Sequence, residues 1–144
     1  MARAEKVVVD ASVAVKWYNL EEHTNKALQL RRDYAAHEVD LTAPYLVNYE
    51  VANSLRYNPD FGVEDLKAAV ADLLDMHLNL MLLDEQQTKT ASELALKYGV
   101  TFYDAVYLAL AEAEETTFYT ADDKLITKVG GPMVKHIRDY RARR

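Results

Sequence analysis

Four carboxylates stand in four separate segments of this 144-residue chain, each at a place where an acid is a poor choice for stability alone. Asp10 closes the apolar run Val7-Val8-Val9, and Glu50 lies inside the helix-like stretch Tyr45-Leu46-Val47-Asn48-Tyr49-Glu50-Val51-Ala52. Asp104 opens Tyr103-Asp104-Ala105-Val106-Tyr107-Leu108-Ala109-Leu110, and Asp122 follows Thr117-Phe118-Tyr119-Thr120-Ala121. A carboxylate among apolar neighbours is costly unless a partner or a cation compensates it. Oxygen donors gathered in one place suit a hard divalent cation, Mg²⁺ or Mn²⁺. Ions of this kind can activate water and stabilise the attacking and leaving oxygens of a phosphodiester displacement, which is nuclease chemistry. Zinc is disfavoured: there is no cysteine, and His23, His37, His77 and His136 show no ligand spacing. Ser12 and Thr120 could orient a carboxylate or a bound water, or satisfy local backbone groups.

Each acid also has a structural reading. Asp10 is a good N-cap for a helix beginning near Ser12, and Asp122 for one over Asp123 to Val129, with Asp123 its rival for any chemical role. Thr101-x-x-Asp104 resembles a capping box. Glu50 has no such explanation, since helical spacing puts Leu46, Val47, Asn53 and Ser54 on its side. Asp84 also ends an apolar run, but Asp84-x-x-Gln87 is a good capping-box match and Asp84 is left out of the site.

The site exists only if the fold brings these segments together. Strand-like runs alternate with helix-like ones, the pattern of a parallel sheet with helices on both faces. The expected fold is α/β: a single domain with a central parallel sheet of four to five strands. Strands are predicted at Lys6 to Asp10, Val39 to Ala43, Leu80 to Leu83, Thr117 to Thr120 and Met133 to Ile137. Helices are predicted over Ser12 to Glu38 with a break near Asn19 to Glu21, from Pro44 through Glu50, over Val63 to His77, over Glu85 to Tyr98 with Gly99 ending it, from Asp104, and over Asp123 to Val129. The apolar run Leu78 to Leu83 reads as a buried strand, and the stripe from Leu66 to Met76 as core or, secondarily, a dimer face. Strand-end and helix-start acids in such a sheet converge on one edge.

Half the residues are hydrophobic and spread along the chain, so one ordinary domain can bury a core without disulfides. The lack of cysteine agrees with a reducing cytoplasm. No uncharged apolar stretch of about 18 residues is present, so no membrane association is expected. Net charge is −6, but residues 1–123 carry 10 basic and 22 acidic side chains, net −12, whereas 124–144 carry 7 basic side chains and Asp139, net +6. A basic tail, 138–144, therefore follows a domain at 1–137; its arginines are candidates for phosphate contacts or simple solvation. Trp17 and Tyr18 read as core or dimer contacts ahead of base stacking.

Val9-Asp10-Ala11-Ser12, Glu50-Val51-Ala52-Asn53-Ser54-Leu55, Tyr103-Asp104-Ala105-Val106-Tyr107-Leu108-Ala109-Leu110-Ala111 and Thr120-Ala121-Asp122-Asp123-Lys124-Leu125 together resemble the PIN-domain ribonucleases, especially small prokaryotic members of the VapC toxin type. The resemblance spans nearly the whole chain. It implies that Asp10, Glu50, Asp104 and Asp122 hold Mg²⁺ or Mn²⁺, with Ser12 and Thr120 in support and Asp123 as a further ligand. It also implies endonucleolytic RNA cleavage, a homodimer, and inhibition by a cognate antitoxin. A second reading is a PIN-like module that binds RNA or a partner without cutting. An aspartyl-nucleophile phosphatase would need a second Asp where Ser12 stands, and a receiver-type phosphoacceptor has no role for Glu50.

Overall fold

The computed structural model describes residues 4–142. Five strands, β1 (Glu5–Val9), β2 (Val39–Pro44), β3 (Asn79–Met81), β4 (Thr117–Thr120) and β5 (Val134–His136), form one sheet in the order β3-β2-β1-β4-β5. Every pairing is parallel. A parallel neighbour cannot be reached by a hairpin, so helices fill the crossovers. They are α1 (Ala11–Ala14), continued by a 3₁₀ turn at Val15–Trp17, then α2 (Thr24–Ala35), α3 (Leu46–Leu55), α4 (Val63–Asp75), α5 (Glu85–Tyr98), α6 (Phe102–Ala113) and α7 (Asp123–Val129). A second 3₁₀ turn, Ile137–Asp139, follows β5. Among the described residues no helix is long and apolar enough to cross a membrane.

The chain leaves β1 toward β2 and β3 on one side, then returns through α5 and α6 to β4 and β5 on the other. Right-handed connections made in opposite directions put helices on both faces. The strand order therefore reverses between β1 and β4, and in open α/β sheets the crevice outside the carboxyl ends at that reversal is where ligands bind. Val7, Val8 and Val9 at the sheet centre are fully buried. Burying each contributes about 1.5–3 kcal/mol, and β-branched runs suit a strand covered on both faces. On α6, Ala105, Leu108, Ala109 and Ala111 are buried, and the small alanines let the helix lie against β1 and β2.

Several boundaries differ from the sequence reading for definite reasons. Pro44 ends β2 instead of opening a helix: β1 pairs with β2 only as far as Val8 and Thr42, so the missing N–H at Pro44 removes no ladder bond on that side. α3 begins at Leu46, after Tyr45, whose N–H donates to the Met81 carbonyl. The run Leu78 to Leu83 is an edge strand of three half-buried residues, with Leu82 82% exposed, not a buried strand. In α4 only Ala69 and Leu73 are buried, while Val63 and Leu74 are exposed and, with Leu66, Val70 and Ala71, line an open apolar groove. Leu66 to Met76 is therefore core on one side only. α6 begins at Phe102, ahead of Asp104, because Thr101 supplies the cap.

Packing continues past residue 137. Tyr140 is fully buried, stands edge-on to Tyr119, and donates its hydroxyl to Asp33 at 2.5 Å. Lys26 Nζ donates to the Tyr140 carbonyl at 2.7 Å, and Arg138 pairs with Asp123. Farther along the basic tail, Arg141 and Ala142 are exposed; Arg143 and Arg144 lie outside the described residues.

Candidate active site

Asp10 sits immediately after β1, at the strand-order reversal, and is buried. Its capping and chemical roles coincide. One carboxylate oxygen, Oδ1, accepts from the Ser12 N–H at 3.1 Å, the Ser12 hydroxyl at 2.5 Å and, more weakly, the Val13 N–H at 3.4 Å. The other, Oδ2, accepts from the Thr120 hydroxyl at 2.6 Å. Thr120 is the last residue of β4, so this bond ties the carboxyl ends of the two neighbouring strands together.

Proton bookkeeping fixes both hydroxyls. Each carries one proton and gives it to Asp10, so the 3.2 Å approach of Ser12 Oγ to Thr120 Oγ1 joins two acceptors. Each then accepts a backbone N–H from the turn after β4: Ala121 to Ser12 Oγ at 2.8 Å, and Asp122 to Thr120 Oγ1 at 3.2 Å. Asp122 in turn caps α7, accepting from the Lys124 and Leu125 N–H groups at 3.0 and 3.2 Å. A continuous network thus runs from Asp10 through Ser12 and Thr120 to the backbone of Asp122.

Glu50 flanks the buried stripe of α3, which is Val47, Val51 and Leu55; Asn53 and Ser54 are exposed. Half-buried, Glu50 Oε1 accepts the Tyr107 hydroxyl at 2.6 Å. Asp104 stands in the first turn of α6, its N–H donated to Thr101 Oγ1 at 3.0 Å.

The electrostatics tie the four acids together. Burial pushes the Asp10 carboxyl up to about 6, against the pull of its Ser12 and Thr120 hydrogen bonds, and the charge of Asp104 adds to the rise. Burial raises Glu50 as well, opposed by Tyr107 and reinforced by Asp104. Asp104 is raised by burial and then by Asp122, with Thr101 and Lys128 pulling it down. Burial and the charges of Glu50, Asp10 and Asp104 drive the Tyr107 phenol upward, so it remains a donor. Asp104 is the hub, acting on Asp10 and Glu50 and acted on by Asp122.

Asp10, Glu50 and Asp104, each disfavoured in its charged form and joined by the charge of Asp122, are the kind of oxygen donors that a hard divalent cation fits. The fit is one of donor chemistry: among the described residues no group of three or more His, Asp or Glu side chains is gathered closely enough to hold a metal ion as it stands. Asp123 is turned elsewhere. Its carboxylate, mostly exposed, accepts from Arg138 at 2.8 Å with His136 Nε2 at 3.9 Å. Asp84 makes its capping box with Gln87. Trp17 is core, donating to the Ala27 carbonyl, and Tyr18 donates to Asp72 on α4. Tyr107 was missed by the sequence reading; its position three residues after Asp104 on one helix, and hence on the same face, was the available signal.

The PIN domain family profile matches residues 7–131. Ribonuclease VapC3 of Pyrobaculum aerophilum is 34% identical over 128 residues, covering 85% of this chain and 94% of that protein. Exonuclease VapC9 of the same organism is 29% identical over 124 residues, covering 86% of each. A solved toxin-antitoxin complex from Klebsiella pneumoniae superposes with a TM-score of 0.68 at 15% identity, covering 91% of this chain and 97% of that one, which is agreement of fold. This chain belongs to the PIN-domain family. Both of these relatives are VapC proteins, and the chain stands with the VapC-type members of the family.

Proposed function

We propose that this protein is a divalent-metal-dependent ribonuclease of the VapC type, cutting RNA phosphodiesters within the strand. The observation that carries this reading is that Asp10, at the carboxyl end of β1, is anchored across to β4 by Ser12 and Thr120, with Asp104 near enough for its charge to couple with Asp10, Glu50 and Asp122. Asp10, Glu50, Asp104 and Asp122 would hold Mg²⁺ or Mn²⁺, and the bound ion would supply an activated water and charge stabilisation at the phosphate.

The chain's own residues do the rest. Asp10 is fixed by hydroxyls already oriented by backbone donors, so it need not reorganise to receive a cation. Asp122 is pinned through its α7 cap. Asp104, whose charge raises Asp10 and Glu50 and which is itself raised by Asp122, links the acids, so a cation that reverses the repulsion couples ion binding to their ionisation. The neutralised site then no longer repels the anionic backbone of RNA, so the acidic body is compatible with such a substrate.

A cognate antitoxin, a homodimer and a cytoplasmic site of action belong to the same reading; the Klebsiella complex and the two VapC relatives support the first. The test is cleavage of an end-labelled RNA pool with Mn²⁺ or Mg²⁺ and with chelator. Internal fragments that need the metal and vanish in Asp10→Asn and Asp104→Asn are expected. Stepwise shortening from one end would replace endonuclease by exonuclease, and Mn²⁺ binding without any cleavage would favour the non-cutting module.

A further inference from the structure

We propose that Tyr107 is a positioning residue that presets Glu50 for cation binding; the proposal rests on the reading of Glu50 as a metal ligand. A glutamate reaches its site through three rotatable bonds, whereas Asp10 and Asp122 are short and held by several donors each. Among the described residues, Glu50's carboxylate receives one hydrogen bond, from the Tyr107 hydroxyl at 2.6 Å. That hydroxyl is itself immobile. The ring is 1% exposed and stacks on Phe118 with centroids 5.7 Å apart and planes 12° apart.

Phe118 is fully buried in β4, two residues before Thr120, which holds Asp10. The same strand therefore orients two of the four acids, one through a hydroxyl and one through an aromatic stack. With Oε1 taken by Tyr107, the orientation of Oε2 is set, which is how an outer partner commonly fixes a ligating carboxylate. A tyrosine whose hydroxyl merely found the nearest acceptor would contribute to folding and nothing to ion affinity.

Tyr107→Phe keeps the stack and removes the donor. Mn²⁺ binding, read by the electron paramagnetic resonance of free Mn²⁺ with no RNA present, is expected to weaken about 10-fold or more, with far-ultraviolet dichroism unchanged. Glu50→Gln should weaken binding too, and Glu50→Gln with Tyr107→Phe should lose little beyond Glu50→Gln alone, because the hydroxyl acts through that carboxylate. Phe118→Leu, which leaves the hydroxyl but loosens its ring, should shift affinity in the same direction by less. If Tyr107→Phe binds Mn²⁺ within twofold of the parent while Glu50→Gln does not, the positioning role is overturned and the metal reading stands. If Glu50→Gln also binds normally, the reading of Glu50 fails first.

Discussion

Replacing Asp10 with asparagine should stabilise the protein in chelator at pH 8 and not at pH 4. The carboxyl is raised from 3.8 to about 6 in the folded state, principally by burial. A raised carboxyl favours folding in its protonated form, so its penalty is absent below 3.8, grows through the interval up to 6 and is complete above it. A shift of about 2 pH units corresponds to about 3 kcal/mol, an upper value because part of it is shared with Asp104. For a domain of this size, about 3 kcal/mol is roughly a 9 °C change in midpoint. Asparagine keeps the acceptor that Ser12 needs, at some loss of the Thr120 bond, so the observed gain should fall between zero and that limit. Thermal unfolding of both proteins across pH 4 to 8 in chelator, followed by circular dichroism, measures the difference. A growing advantage for Asp10→Asn as pH rises, reversed when Mn²⁺ is added, is expected. A variant equally destabilised at every pH would refute the reasoning, because Asp10 would then be a net stabilising cap.

Thr120→Val removes the donor to Asp10 Oδ2 and the acceptor for the Asp122 N–H; a loss of about 1–3 kcal/mol in urea unfolding and a large fall in RNA cleavage are expected. Asp123→Asn breaks the exposed pair with Arg138 and should leave Mn²⁺ affinity within about twofold by the same resonance titration, since surface pairs contribute about 0–1 kcal/mol. Asp84→Ala should cost about 1 kcal/mol of stability through the lost α5 cap, with cleavage rates unaltered. Tyr140→Ala should cost about 3–5 kcal/mol, the usual range for emptying a buried aromatic site, which differential scanning calorimetry would detect.

The parallel sheet was legible because Val7-Val8-Val9 and Thr117 to Thr120 are short β-rich runs bounded by cap residues, and the helices between them carry a 3.6-residue period. Pro44 and Leu78 to Leu83 were misread because propensity does not report pairing: whether a proline is tolerated depends on where the neighbouring strand ends, and whether an apolar run is buried depends on which strand is last in the sheet. The four acids were visible as chemically costly residues; Asp10 and Asp122 double as caps, as their positions suggested, while α6 is capped by Thr101 and Asp104 stands in its first turn. Their supporting contacts were less accessible. Ser12 and Thr120 are 108 positions apart and Glu50 and Tyr107 are 57 apart, so only the closed β1/β4 edge and the α3–α6 contact reveal that they meet. Asp123 adjoins Asp122 in sequence, yet one residue along α7 turns its carboxylate to Arg138 and His136.

Crystals grown with Mn²⁺ and examined by anomalous scattering at the manganese edge locate the ion directly. The peak is expected among the carboxylates of Asp10, Glu50, Asp104 and Asp122, with Asp123 still on Arg138. A manganese peak at Asp123 and His136 instead, or none in crystals of protein that cleaves RNA, would contradict the proposed metal site.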